Sequence, residues 1–139
     1  MKNLCLLAVF AFSKISFCDS QTLFTNYLLV ADKDILSIPF SNYNGALLND
    51  ICTEKIQSCH AYRVFLAKPK DLKKIELYID NLPHAASAYC KYHGGAPLSL
   101  SKNENQRKSF CAFSDKTVIS SWDLYYSHFE SPQNKDFNK

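Results

Sequence analysis

Four cysteines, Cys52, Cys59, Cys90 and Cys111, and four histidines, His60, His84, His93 and His128, are the side chains of this sequence best suited to chemistry. Cys90 and His93 stand at a Cys-x-x-His spacing, and Cys59 is followed directly by His60. A closed zinc site needs four ligands with deprotonated thiols, usually offered as close pairs, and Cys52 and Cys111 lack near partners of that kind. A Cys–His nucleophile needs a free thiolate beside a base that a third group orients. His93 could share a helix face with Cys90, but a cysteine already oxidised cannot attack. The acidic pairs Asp32/Asp34 and Asp115/Asp123 fall in predicted turns or on exposed faces, where a solvated carboxylate is the ordinary state. With three glycines in 139 residues there is no glycine-rich phosphate loop. The expectation is a chain without catalytic residues, without a metal and without a cofactor.

What redirects the cysteines is the N-terminus. Lys2 supplies a positive start and Leu4 to Phe12 an uninterrupted apolar run, the pattern of an export signal over residues 1–20. That run is far shorter than the ~20 residues a membrane-spanning helix needs, so no transmembrane segment is expected in the mature chain. Ala11 and Ser13 suit a cleavage site, yet cutting there leaves an odd number of cysteines. Cutting after Cys18 or Ser20 leaves four, which cysteine arithmetic favours. A lipid anchor at Cys18 is the third reading, weakened by Phe17 where a lipobox carries a small residue. In an exported chain, paired cysteines read as a disulfide framework. The expected pairs are Cys90–Cys111 and Cys52–Cys59. A regular helix through Cys52 and Cys59 would hold them ~10 Å apart, so the helix starting near Ala46 must end or unwind before Cys59.

The elements that must position these residues follow from pattern. Two strands, about 23–31 and 35–40, flank Asp32-Lys33-Asp34, and Asn44-Gly45 is a turn signal. Leu47, Leu48, Ile51, Cys52 and Ile56 share one helical face, predicting a short helix over 46–56. Residues 58–67 and 73–79 read as a hairpin around Lys68-Pro69-Lys70-Asp71, although Leu72, Ile75 and Ile79 also suit a helix. Pro83 opens a helix to Tyr92 that Gly94 and Gly95 stop. Strands follow at 97–100 and 109–113 around a polar loop 101–108, and 116–119 can continue the sheet. Residues 122–129 form a last strand or a short helix, and 131–139 are a polar tail expected to fray. The fold class is α+β: a small disulfide-stapled domain of short helices packed on an antiparallel sheet. Its parts are the signal (1–20), an N-terminal α+β segment (21–82), a helix-plus-hairpin unit (83–130) and the tail (131–139).

Ala86-Ser87, Tyr89-Cys90, Gly94-Gly95, Cys111-x-Phe113-x-Asp115, Trp122 and Tyr125-Tyr126 follow one another without an insertion. In that order and spacing, residues 86–126 resemble a small exported bacterial domain, domain of unknown function 333, whose members carry the name hemolysin. His84-Ala85 stands where the family has Asn-Pro, and Asp115-Lys116 where it has Asp-Gly. Two further cysteines of many members fall at Ile119 and Phe129; their joint loss is what the resemblance implies if those two pair with each other. Residues 21–82 match no family.

Removing Lys2, Lys14 and Asp19 with the signal lowers the formal charge from +3 to +2. No concentrated basic face points to nucleic acid; Lys68, Lys70, Lys73 and Lys74 are interrupted by Asp71 and read as a solvated face. Trp122, Tyr125, Tyr126 and Phe129 fill a core in the favoured reading and form an exposed platform in the other. The expected function is an exported, monomeric, non-enzymatic binding module, inhibitor-like, with a protein or glycan partner in the envelope or outside the cell. The alternative is a secreted toxin-like or lytic factor, as the resemblance implies; the absence of an amphipathic or membrane-inserting segment after residue 20 speaks against it.

Overall fold

The structure, a computed structural model, describes residues 23–31, 34–79 and 84–129. The signal, Pro83 and the tail lie outside them. Strands β1 (Thr25–Ala31), β2 (Asp34–Tyr43) and β3 (Ala46–Asn49) form one meander, and β4 (Ala96–Asn103), β5 (Gln106–Ala112) and β6 (Val118–Ser120) a second. The two close into one antiparallel barrel in the order β1-β2-β3-β6-β5-β4. Among the described residues five short helices complete the α+β fold: α1 (Asp50–Glu54), α2 (His60–Leu66), α3 (Leu72–Ile79), α4 (Ala85–Tyr92) and α5 (Ser121–Tyr126).

Strand alternation sorts the apolar residues into two clusters. Tyr27, Phe40, Leu100, Phe110 and Val118 fill the barrel, with Tyr27 edge-on to both phenylalanines at centroid distances of 5.4 and 5.0 Å. The second cluster lies between sheet and helices and holds Leu48, Ile119, Tyr89, Leu124, Phe129 and all four described cysteines. Ile119 and Phe129, where the resembled family carries cysteines, are therefore both core residues. The outward faces of β1 and β2 leave Val30 and Ile35 exposed opposite each other.

The barrel is made of long pairings joined by two short seams. β1 meets β4 through Leu28↔Ser101, and β3 meets β6 through Leu48↔Ile119. Side chains reinforce the second seam. Asn49 Oδ1 accepts from Val118 N at 3.0 Å and Nδ2 donates to the Lys116 carbonyl at 3.0 Å. Asp123 Oδ2, from the start of α5, accepts from Leu47 N at 2.9 Å.

Several predicted elements need correction. The predicted helix over 46–56 begins as strand β3, because Ala46 to Asn49 pair with β2, and turns helical only at Asp50. The predicted hairpin of 58–67 and 73–79 is the helix pair α2 and α3: Ala61 and Ile75 are buried in the helix-side cluster, so the helical spacing prevails over the local alternation. The polar loop 101–108 is mostly sheet, narrowed to a turn at Glu104-Asn105. Of the two readings of 122–129, the helix is correct, over its first part.

The helix break required between Cys52 and Cys59 is present. α1 stops at Lys55 (φ −136°, ψ 57°), and a 3-10 turn, Ile56–Ser58, leads to Cys59, the N-cap of α2. Cys52 and Cys59 are bonded, their Cα atoms 5.0 Å apart. Cys90 of α4 is bonded to Cys111 of β5, with Cα atoms 5.5 Å apart. Two disulfides suit an oxidising, exported environment. Among the described residues no helix is long and apolar enough to cross a membrane.

Candidate functional site

The second disulfide organises its surroundings. α4 ends at His93, and Gly94 (φ +77°) supplies the left-handed residue that stops it. Gly95 has a different duty: a Cβ there would lie 2.9 Å from Cys90 Sγ, and closer still to Cys111 Sγ. The paired glycines thus do two jobs, one conformational and one steric. With Cys90 oxidised, the thiolate that a zinc site or a Cys–His nucleophile would use is absent. Among the described residues no three or more His, Cys, Asp or Glu side chains are grouped to hold a metal ion.

Immediately before Cys90 in α4, Tyr89 is fully buried. Its ring is edge-on to His93 (4.5 Å), Phe129 (5.0 Å) and His128 (5.7 Å). Tyr89 Oη and His128 Nδ1 share a hydrogen bond of 2.6 Å. Burial, with Tyr92 adding to it, pushes the phenol pKa upward, and burial pushes the His128 imidazole down. Tyr89 therefore keeps its proton and His128 stays neutral. Among the described residues His128 Nε2 is buried without a hydrogen-bond partner, as is His93 Nε2, while the Phe65 backbone favours the charged form of His128. His93 is held down to about 4 by burial, then by the neighbouring His128 and His60. A tyrosine that keeps its proton and imidazoles that refuse one make a poor acid–base pair at neutral pH. His93 thus senses two histidines distant in sequence, and His84 remains exposed at the N-cap of α4 without a capping bond.

The carboxylates are structural. For Asp115, although exposed, desolvation is the largest single influence and raises it, but hydrogen bonds from Thr117 Oγ1 (2.6 Å), Thr117 N (3.1 Å) and His60 N (3.3 Å) together outweigh it, holding the carboxyl below the usual carboxylate range. It thereby joins the β5–β6 turn to the first turn of α2. Asp123 is raised by burial, against its bonds to Leu47 N and Ser120. The expectation of a solvated side chain fails for Asp123, which is committed to the β3–β6 seam.

The aromatic segment divides. Phe129 is buried and Tyr125, half-buried, stacks on it at 4.6 Å. Trp122 and Tyr126 are 44% and 37% exposed, and their rings stack at 5.3 Å with 23° between planes. One helical turn separates them, so both lie on the outer face of α5. The favoured core reading is thus corrected for Trp122 and Tyr126, because the inward face of this short helix is taken by Ser121, Leu124 and Tyr125. Lys68, Lys70, Lys73 and Lys74 are all exposed.

Sequence reasoning missed Asn49, the Tyr89–His128 bond and the clustering of His93 with His128. The bonded pair is separated by 39 positions, and no spacing rule reaches that far. Residues 81–128 match the model of a family described as Domain of unknown function (DUF333). The matched stretch holds Tyr89, the Cys90–Cys111 bridge, both glycines, Trp122 and His128. No curated protein and no solved structure matches the chain.

Proposed function

We propose that this protein is an exported binding module without catalytic residues, acting as a monomer in the periplasm or outside the cell on a protein or glycan partner. The observation that carries this reading is the Trp122–Tyr126 stack. Two large rings held parallel on the outer face of a helix offer flat apolar area at little conformational cost, and an aromatic with a polar edge is what binding hot spots favour. Capping by Ser120, whose Oγ accepts from Asp123 N, and the buried Leu124 hold the helix rigid beneath it. A platform already in place loses little entropy on binding.

Trp122→Ala tests this directly. Because the indole is nearly half exposed, its removal should leave the melting temperature within a few degrees of wild type. Capture of envelope glycans or proteins by the immobilised mature chain should fall about tenfold or more, the loss of a hot spot. Capture that survives Trp122→Ala and Tyr126→Ala together, with the fold intact, removes the stack from the function. A hydrolytic or lytic activity lost with a single histidine would overturn the non-enzymatic reading.

A further inference from the structure

A cavity of about 440 Å³ opens beside the β4–β5 hairpin, lined by Tyr27, Lys102, Asn105, Gln106, Arg107 and Lys108. None of these residues lies on α5. Tyr27 is the buried member, anchored in the barrel cluster; the other five are exposed. Three cations therefore share the rim of one concavity whose lining contains no carboxylate.

Sheet geometry accounts for the placement of Lys102. In a regular ladder, adjacent residues point to opposite faces, which separates Arg107 from Lys108. Here the β4–β5 register shifts between Ser101, opposite Arg107, and Asn103, opposite Gln106. The shift leaves Lys102 in the bulge without a cross-strand partner, where its side chain is re-aimed; Arg107 and Lys108 keep regular partners, Ser101 and Leu100, and flank the concavity as neighbours on β5. The carboxylate that senses Lys108 is Asp123, and its hydrogen bond to Leu47 N commits it to the other seam of the barrel.

Three cations around one concavity set up a positive potential that favours an anion. The cavity's size is that of a small-molecule pocket, and barrel mouths are a recurrent place for one. Asn105 and Gln106 add amide donors, and Arg107 a guanidinium whose planar fork fits an oxyanion through two hydrogen bonds. We propose that this cavity binds a doubly charged oxyanion, phosphate or sulfate, free or carried on a small molecule. Lys102, Arg107 and Lys108 supply the charge, and Tyr27 the floor.

The test follows backbone amide shifts of the oxidised mature chain on titration with inorganic phosphate, inorganic sulfate and glucose 6-phosphate, against sodium chloride at matched ionic strength. Saturable shifts centred on Tyr27 and residues 102–108 are expected. The combined variant Arg107→Gln/Lys108→Gln should weaken binding about tenfold or more. Lys102→Gln, an exposed change within the bulge, serves if the double variant does not fold. Tighter binding of the sugar phosphate than of inorganic phosphate would assign the remaining volume to an organic moiety; equal binding would assign the site to the oxyanion itself. Shifts that follow ionic strength alone, or that persist unchanged in the folded variants, overturn the proposal.

Discussion

Gly95 and Gly94 separate two costs that one dipeptide conceals. Alanine at Gly94 meets nothing within 4 Å but must hold a positive φ, a strain of roughly 1–2 kcal/mol. Alanine at Gly95 keeps an ordinary backbone and collides with both sulfurs, an overpacking cost of ~1–3 kcal/mol. Denaturant melts of a double-mutant cycle distinguish them: in a Cys90→Ala/Cys111→Ala background, the Gly95→Ala penalty should vanish and the Gly94→Ala penalty should persist. The histidines carry a pH dependence of definite sign. Between the ordinary value of 6.5 and the value of about 4 in the fold, the unfolded chain protonates this imidazole while the fold keeps His93 neutral. The unfolded state then binds more protons, so stability falls as the pH drops through that window. His128, also lowered, adds to the loss. Asp115 adds to it further down, whereas Asp123, raised, acts in the opposite sense. Midpoints of urea denaturation at a series of pH values should show the decline, and His93→Gln should flatten it.

At the scale of elements, the β3–β6 seam concentrates much of its hydrogen bonding in Asn49. Truncation to alanine leaves Val118 N buried without an acceptor, and a buried orphan costs ~1–3 kcal/mol. Asn49→Ala should therefore destabilise by about that amount, with hydrogen exchange at Val118 accelerating more than at Phe110. Local signals were legible where one residue settles the matter. Gly94 stops α4, the Asn44-Gly45 turn joins β2 to β3, and the spacing of Cys52 and Cys59 requires the helix break that Lys55 makes. They misled where packing decides between two periods. Ile75-Glu76-Leu77-Tyr78-Ile79 alternates like a strand, yet Leu72, Ile75 and Ile79 lie on one helical face, and burial of Ile75 against the core selects that face. At the candidate site the sequence identified Trp122 and Tyr126 but not their exposure, because the choice between core and surface depends on which side of α5 the barrel occupies.

At the scale of the molecule, the chain is two meanders and two staples. Cys90–Cys111 closes a loop with a sequence separation of 21 residues, which chain-entropy reasoning values at ~3 kcal/mol. Cys90→Ser or Cys111→Ser should lower the melting temperature by many degrees, and more than the same change at Cys52 or Cys59, whose separation is 7. Two single variants of the longer bridge that melt like wild type would refute that valuation. The stretch that matches the family model supplies only β4, β5 and β6, so Leu100, Phe110 and Val118 depend on Tyr27 and Phe40 from the other meander to be covered. Each meander is internally well paired, and each seam between them has a single bridging backbone pair, the β3–β6 one reinforced by Asn49 and Asp123. Such a barrel resembles a book whose two covers meet at two thin edges, with the described residues 50–79 and 84–95 on the spine. The edge that a meander offers its own partner is the same edge it offers to the equivalent meander of another copy. Opening both seams without unfolding either half therefore creates a chain that can close by exchange, each copy lending one meander to the other. The disulfides do not prevent this, because Cys52–Cys59 lies within the spine and Cys90–Cys111 joins the end of the spine to the second meander. Exchanged dimers would re-form between copies the seam bonds that the monomer makes within one chain, so their formation would be governed by concentration and by the rate of seam opening, not by any new contact.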